Sequence, residues 1–212
     1  YVSKNLEKIN LKKKSLYVGS EKVSPHYLDY LGDNLFITSK SGTIYQISIS
    51  SLYNENLEFI KISTNLDSNI EVTDTLIVKD KLYIVFHRKD RDCKNISIYE
   101  TELEPKSINF EFKKFFEYGE LGNCERYAFA GRIANYELNN EDGLLLSSVS
   151  FKDQNKEILD QYGIRLEYKF SDIIFISFKE KKYKKFATGF KNPQGLIVIN
   201  NNVIASDHGP RG

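Results

Sequence analysis

No run of 18 apolar residues occurs in the 212-residue chain, so no segment reads as a membrane-spanning helix. An excess of either charge is also lacking: 30 Lys and Arg stand against 29 Asp and Glu, a net charge of +1. No global field therefore draws the protein onto nucleic acid or an anionic membrane. The basic clusters Lys12-Lys13-Lys14 and Lys179 to Lys185 read as solvated strand ends or turns rather than phosphate sites. Methionine is absent. Removal of a signal peptide would account for that, and the expectation is a secreted or periplasmic protein. Cysteine occurs only at Cys93 and Cys124. Without a Cys-x-x-Cys or a Cys/His cluster there is no support for a zinc site. In an oxidising compartment the two are expected to pair across a loop of about 30 residues, contributing roughly 3 to 4 kcal/mol in the chain-entropy model. Two buried free thiols are the alternative. Nucleophile-elbow, Walker-type and Rossmann glycine patterns are all missing.

Strand signals fill the chain instead. Short runs rich in Ile, Val, Tyr, Phe and Leu alternate with polar residues and are broken by Asn, Asp, Gly and Lys, while helical periodicity is scarce. One unit recurs: an apolar run, a polar turn, and a second apolar run. It is seen at Tyr27–Leu31 and Leu35–Ile37, at Leu76–Val78 and Leu82–Phe86, at Ile133–Tyr136 and Leu144–Leu146, and at Leu196–Ile199 and Val203–Ala205. The interval of roughly 45 to 60 residues is that of a four-stranded propeller blade with variable loops. Ser41 to Ile47 and Lys94 to Thr101 are expected third strands, and Leu57 to Ile62 and Phe110 to Tyr118 expected outer strands. The fold class is thus all-β, a β-propeller of four-stranded antiparallel blades, about four of them in a single domain.

The chemistry-bearing residues lie toward the C-terminus. Thr188-Gly189-Phe190-Lys191-Asn192-Pro193-Gln194-Gly195-Leu196 is followed, after a hairpin, by Ser206-Asp207-His208-Gly209-Pro210-Arg211-Gly212. Upstream stand Ala130-Gly131-Arg132-Ile133, Asp142-Gly143-Leu144-Leu145 and Gln161-Tyr162-Gly163-Ile164-Arg165-Leu166. These stretches, in this order, resemble the soluble sugar dehydrogenases that use pyrroloquinoline quinone, whose members carry Gly-x-Arg-Asn-Pro-Gln-Gly-Leu and Glu-His-Gly-Pro-Arg-Gly. The resemblance covers about Phe129 to Gly212; before it only the blade pattern agrees. It implies a six-bladed propeller with the quinone and a calcium ion at the centre of one face, acting on a small sugar or related alcohol. The carbonyls of Gly209 and Pro210 would hold the calcium, an ion that favours oxygen ligands. Lys191, Asn192, Arg132 and His208 would contact or position the cofactor.

Two departures from the family pattern bear on activity. Lys191 stands where the family has an Arg, keeping the charge but losing the planar fork. Ala128 stands where the family has its catalytic His, and a positioned general base contributes about 10² to 10⁴ in rate. His26 and His87 read as surface histidines and Tyr127 as too weak a base at neutral pH, so no replacement is evident. Two readings remain: a quinoprotein oxidoreductase, weakly active or inactive, and a non-catalytic propeller that binds a saccharide or a protein partner.

Overall fold

The computed structural model describes residues 26–53, 59–88, 96–104, 107–118, 131–148, 158–159, 165–166, 171–190 and 192–207. Within these, strands dominate, and the helical content is one short 3-10 turn at Ser50–Tyr53. No helix among the described residues is long and apolar enough to cross a membrane.

Each repeated hairpin forms, and each turns in two residues. β1 (His26–Leu31) pairs with β2 (Asn34–Ser39). β3 (Ile44–Ser48) and β4 (Ile60–Thr64) complete the first blade. β5 (Ile70–Val78), β6 (Lys81–Arg88) and β7 (Ile96–Glu102) begin the second. Downstream of it lie β8 (Asn109–Phe110) and β9 (Lys113–Tyr118). β10 (Ile133–Leu138) pairs with β11 (Glu141–Ser147), and β12 (Ile158–Leu159) with β13 (Arg165–Leu166) in a small separate ladder. β14 (Ser171–Ser177) and β15 (Tyr183–Phe190) finish the third blade. β16 (Pro193–Ile199) and β17 (Asn202–Asp207) form a fourth hairpin. The first turn residue is left-handed in all four cases: Gly32 (φ 59°), Lys79 (58°), Asn139 (53°) and Asn200 (49°). Asn140 and Asn201, both at 64°, make the last two turns mirror-type, whose twist matches that of paired strands.

The first strand of each sheet forms its edge, and these first strands are neighbours: β1 lies against β5, β5 against β10, and β10 against β16. Antiparallel meanders radiating from a shared inner line of strands make a β-propeller. The core accordingly lies between blades. Phe36 and Ile44 pack with Val72, Leu82 and Phe86. Tyr83, Val85 and Ile98 pack with Ile133, Leu144 and Ile174, and Leu145 and Phe175 with Leu196 and Val203. A strand buried on both faces needs no polar alternation, which is why Leu82 to His87 are all buried. Each such aliphatic or aromatic side chain contributes roughly 1.5 to 3 kcal/mol on full burial.

Two expectations are corrected. The outer strand anticipated over Phe110 to Tyr118 is two strands serving different blades: β9 closes the second blade, whereas β8 pairs in parallel with β4 of the first. The cause is Asn65, whose Nδ2 donates to the Phe112 carbonyl at 3.1 Å while its Oδ1 accepts from the Phe112 amide at 2.8 Å. That fixes the segment so that Phe110 and Phe112 enter the core between the first two blades. The anticipated surface residue His87 is 1% exposed, because it lies on β6 with Glu71 of β5 on one side and Ile96 of β7 on the other. The side chain of His26, together with Cys93 and Cys124, lies outside the described residues.

Substituting Asn65→Ala strands both backbone groups of buried Phe112, a loss of about 1 to 3 kcal/mol. Urea unfolding should show the unfolding free energy falling by that amount, seen as a lower midpoint at unchanged slope. A midpoint within error of the parent would mean that β8 is held by its apolar side chains alone.

Candidate axial ligand site

At one end of the inner strands, residues from all four blades converge on Arg132. Its Nε donates to the carbonyl of Gln194 at 2.9 Å, a contact between residues 62 apart in the chain. Its Nη1 lies 3.4 Å from Asp74 Oδ1, and its guanidinium carbon 5.6 Å from the centre of the Tyr27 ring. Tyr27 comes from β1, Asp74 from β5 and Gln194 from β16, while Arg132 immediately precedes β10.

Local irregularities aim these groups. The β5 register steps from Val72 opposite Phe86 to Asp74 opposite Val85, making Thr73 an extra, bulged residue. Bulges re-aim side chains: here Thr73 Oγ1 donates to the Gly131 carbonyl at 3.1 Å, and Asp74 Oδ2 accepts from the Ile133 amide at 3.0 Å. In β16 the register steps from Pro193 opposite Asp207 to Gly195 opposite Ser206, so Gln194 is bulged as well. Its carbonyl leaves the ladder and is available to Arg132. Gly131 sits at φ +107° with Thr73 Oγ1 2.5 Å from where a Cβ would be, so only glycine fits this approach.

Burial dominates the electrostatics. Asp74 is pushed up to about 6, chiefly by desolvation, against which the Ile133 amide and then the Arg132 charge work. The Arg132 contact is long for a charge-assisted hydrogen bond, and the Arg132 side chain is 36% exposed against 17% for Asp74. Water therefore screens the cation more than it hydrates the carboxylate. Asp29, partly buried on β1 and bonded to the Thr75 hydroxyl and the Ile77 amide at 3.3 Å, is also raised, chiefly by desolvation. Tyr27 is raised for the same cause, and its hydroxyl donates to the Val72 carbonyl at 3.1 Å.

Of the residues expected at the site, the structure brings the Arg132 and Asn192 stretches to the same inner-strand end. Asn192 stands two residues before Gln194, its amide bonded to Asp207 Oδ1 at 2.7 Å. Its own Oδ1 is buried with no hydrogen-bond partner among the described residues. Lys191, His208, Gly209, Pro210 and Ala128 lie outside the described residues. No group of three His, Cys, Asp or Glu side chains among the described residues is placed to hold a metal ion. Sequence reading missed Asp74 and Tyr27. The available signal was an acidic residue, Asp74, inside an otherwise apolar and β-branched run.

No protein-family model and no curated protein matches the chain. Among solved structures it is similar to the Bombyx mori GH32 beta-fructofuranosidase BmSUC1, at 14% identity and a TM-score of 0.45 over 84% of this chain and 41% of that one. A mutant of that enzyme in complex with sucrose gives 15% identity and a TM-score of 0.44, over 83% and 40%. An S. cerevisiae complex of dbp5 with nup159, gle1, ip6 and adp gives 14% and 0.40, over 85% and 52%. The chain thus spans about two fifths of the fructofuranosidase. The fold assignment above rests on the sheets themselves.

Because Asp74 is raised in the fold relative to its value near 4 in an unfolded chain, its contribution to stability is full below about pH 4. It is lost as pH rises through about 6, a loss on the order of 2 to 3 kcal/mol. Denaturation midpoints measured from pH 4 to 7 should fall with pH, and Asp74→Asn should flatten most of the fall, with Asp29 leaving a residue of the same sign. An equal fall in both proteins would remove Asp74 as its source.

Proposed function

We propose that the chain is a soluble quinoprotein sugar dehydrogenase-like propeller that binds pyrroloquinoline quinone and calcium at the Arg132 end and oxidises a sugar or related alcohol poorly or not at all. The observation that carries this reading is the Arg132 to Gln194 hydrogen bond. The two stretches were matched to the family separately, one before β10 and one opening β16, and they meet in space at the inner-strand ends.

The described residues fit such a group. Arg132 presents a partly exposed guanidinium to a carboxylate, and Asn192 Oδ1 is a buried acceptor with no donor among the described residues, one that an N–H of the cofactor would suit. Carbonyls of Gly209 and Pro210 suit calcium by type. When bound, the quinone would supply the acceptor for a hydride from the sugar carbinol, and calcium would supply Lewis acidity. The chain's own residues have three tasks: to orient the anion through Arg132, to hold that guanidinium in place through the bulged Gln194 carbonyl, and to take the sugar hydroxyl proton. Ala128 leaves the last task without its usual His. A secreted or periplasmic location belongs to the same proposal.

Reconstitution with pyrroloquinoline quinone and calcium, followed by dye reduction with a panel of aldoses, tests the reading. The parent should turn over far below the usual enzymatic range of about 1 to 10³ per second, and Ala128→His should gain about 10² or more. Ordinary turnover by the parent would show that another residue is the base. Cofactor binding without turnover in either protein would favour the non-catalytic propeller.

A further inference from the structure

A guanidinium is a fixed charge in proteins, so in the contact between Arg132 and Asp74 the carboxylate is the partner that titrates. The contact is loose at 3.4 Å, and the cation is the more exposed member. Asp74 does not depend on Arg132 for its place, since the Ile133 and Thr75 amides both donate to it at 3.0 Å. It can therefore lose the guanidinium without moving. The other charged groups around it are engaged elsewhere: Asp29 with Thr75 and Ile77, and Lys40 with Glu71 at 2.6 Å. Tyr27, which underlies Arg132, is held by the Val72 carbonyl.

Resting on the quinone reading of this site, we propose that Asp74 is an internal anion that holds Arg132 in the ligand-free protein and takes up a proton when a carboxylate-bearing ligand claims the guanidinium. Binding and protonation are then one linked event: a solvent proton adds to the Asp74 carboxylate, Arg132 keeps its charge, and the ligand carboxylate becomes its counter-ion. A second carboxylate brought beside Asp74 disfavours its ionised form further. Its position near 6 before binding puts the onset of the linkage just below neutrality. The device regulates the site: affinity for the anion falls as pH rises above about 6, by up to tenfold per unit for one linked proton.

Calorimetric titration of the full chain tests this, using pyrroloquinoline quinone and, separately, benzene-1,3,5-tricarboxylate as a redox-inert anion. Runs at pH 5.5 to 8 in buffers of differing ionisation enthalpy count the protons taken up. The parent should take up a fraction of a proton approaching one above pH 6 and lose affinity with pH, whereas Asp74→Asn should bind with no uptake and a flat profile. Uptake by the parent needs no variant, so a poorly folded Asp74→Asn leaves the count decisive. Binding by the parent without uptake overturns the inference, as does equal uptake in Asp74→Asn or failure of both anions to bind. If the tricarboxylate binds with uptake and the quinone does not bind at any pH, the proton linkage stands and the quinone reading falls.

Discussion

The inner edge of every blade is a strand edge, and the backbone groups there have no further strand to pair with. Most features of the axial end follow from how those groups are satisfied. The Val72 carbonyl is met by Tyr27, the Ile77 amide by Asp29, the Gly131 carbonyl by Thr73, the Ile133 amide by Asp74 and the Gln194 carbonyl by Arg132. In each case the side chain comes from a neighbouring blade. Polar satisfaction at the axis is thus also what joins the blades there, while the apolar clusters join them farther out.

This explains why the bulges fall where they do. A regular β5 would turn Thr73 and Asp74 to opposite faces in simple alternation. With Thr73 bulged, both residues reach the blade that follows. A regular β16 would commit the Gln194 carbonyl to β17 or leave it facing away; the bulge leaves it open to Arg132. Gly131 completes the arrangement, since a Cβ there would collide with Thr73 in a backbone conformation that L residues avoid.

The parts of the fold that were legible in the sequence are those governed by local chemistry. Asn-Asn and Gly-Asp turns between apolar runs announce hairpins because few residues tolerate a left-handed first position, and their spacing announces blades. The run Leu82 to Phe86 reads as a central strand for the same local reason. What was not legible depends on partners distant in the chain. Nothing near Phe110 indicates that Asn65 will capture Phe112, and nothing near His87 indicates a strand covered on both sides. The Arg132 and Asn192 stretches were found through their family-like pattern, and their meeting in space follows from the radial repeat. Asp74 escaped because its meaning lies in a register step relative to β6 and in a guanidinium one blade away.

The Asp74 and Arg132 pair is poorly explained as a stabilising device. A half-buried ion pair gains little beyond what desolvation costs, and apolar replacements of such pairs are often neutral or stabilising. An apolar substitute at either position would, however, leave the Ile133 amide or the Gln194 carbonyl without its partner. The carboxylate is also kept raised by burial rather than settled by its cation. An amide side chain would escape the desolvation penalty for charge but, with a single acceptor oxygen, would keep only one of the bonds that Thr75 and Ile133 donate to separate oxygens of Asp74. A carboxyl group is thus what the two backbone donors require, and by fixing Asp74 in place they leave its charge free to change hands beside a solvent-reachable guanidinium without disturbing the blades.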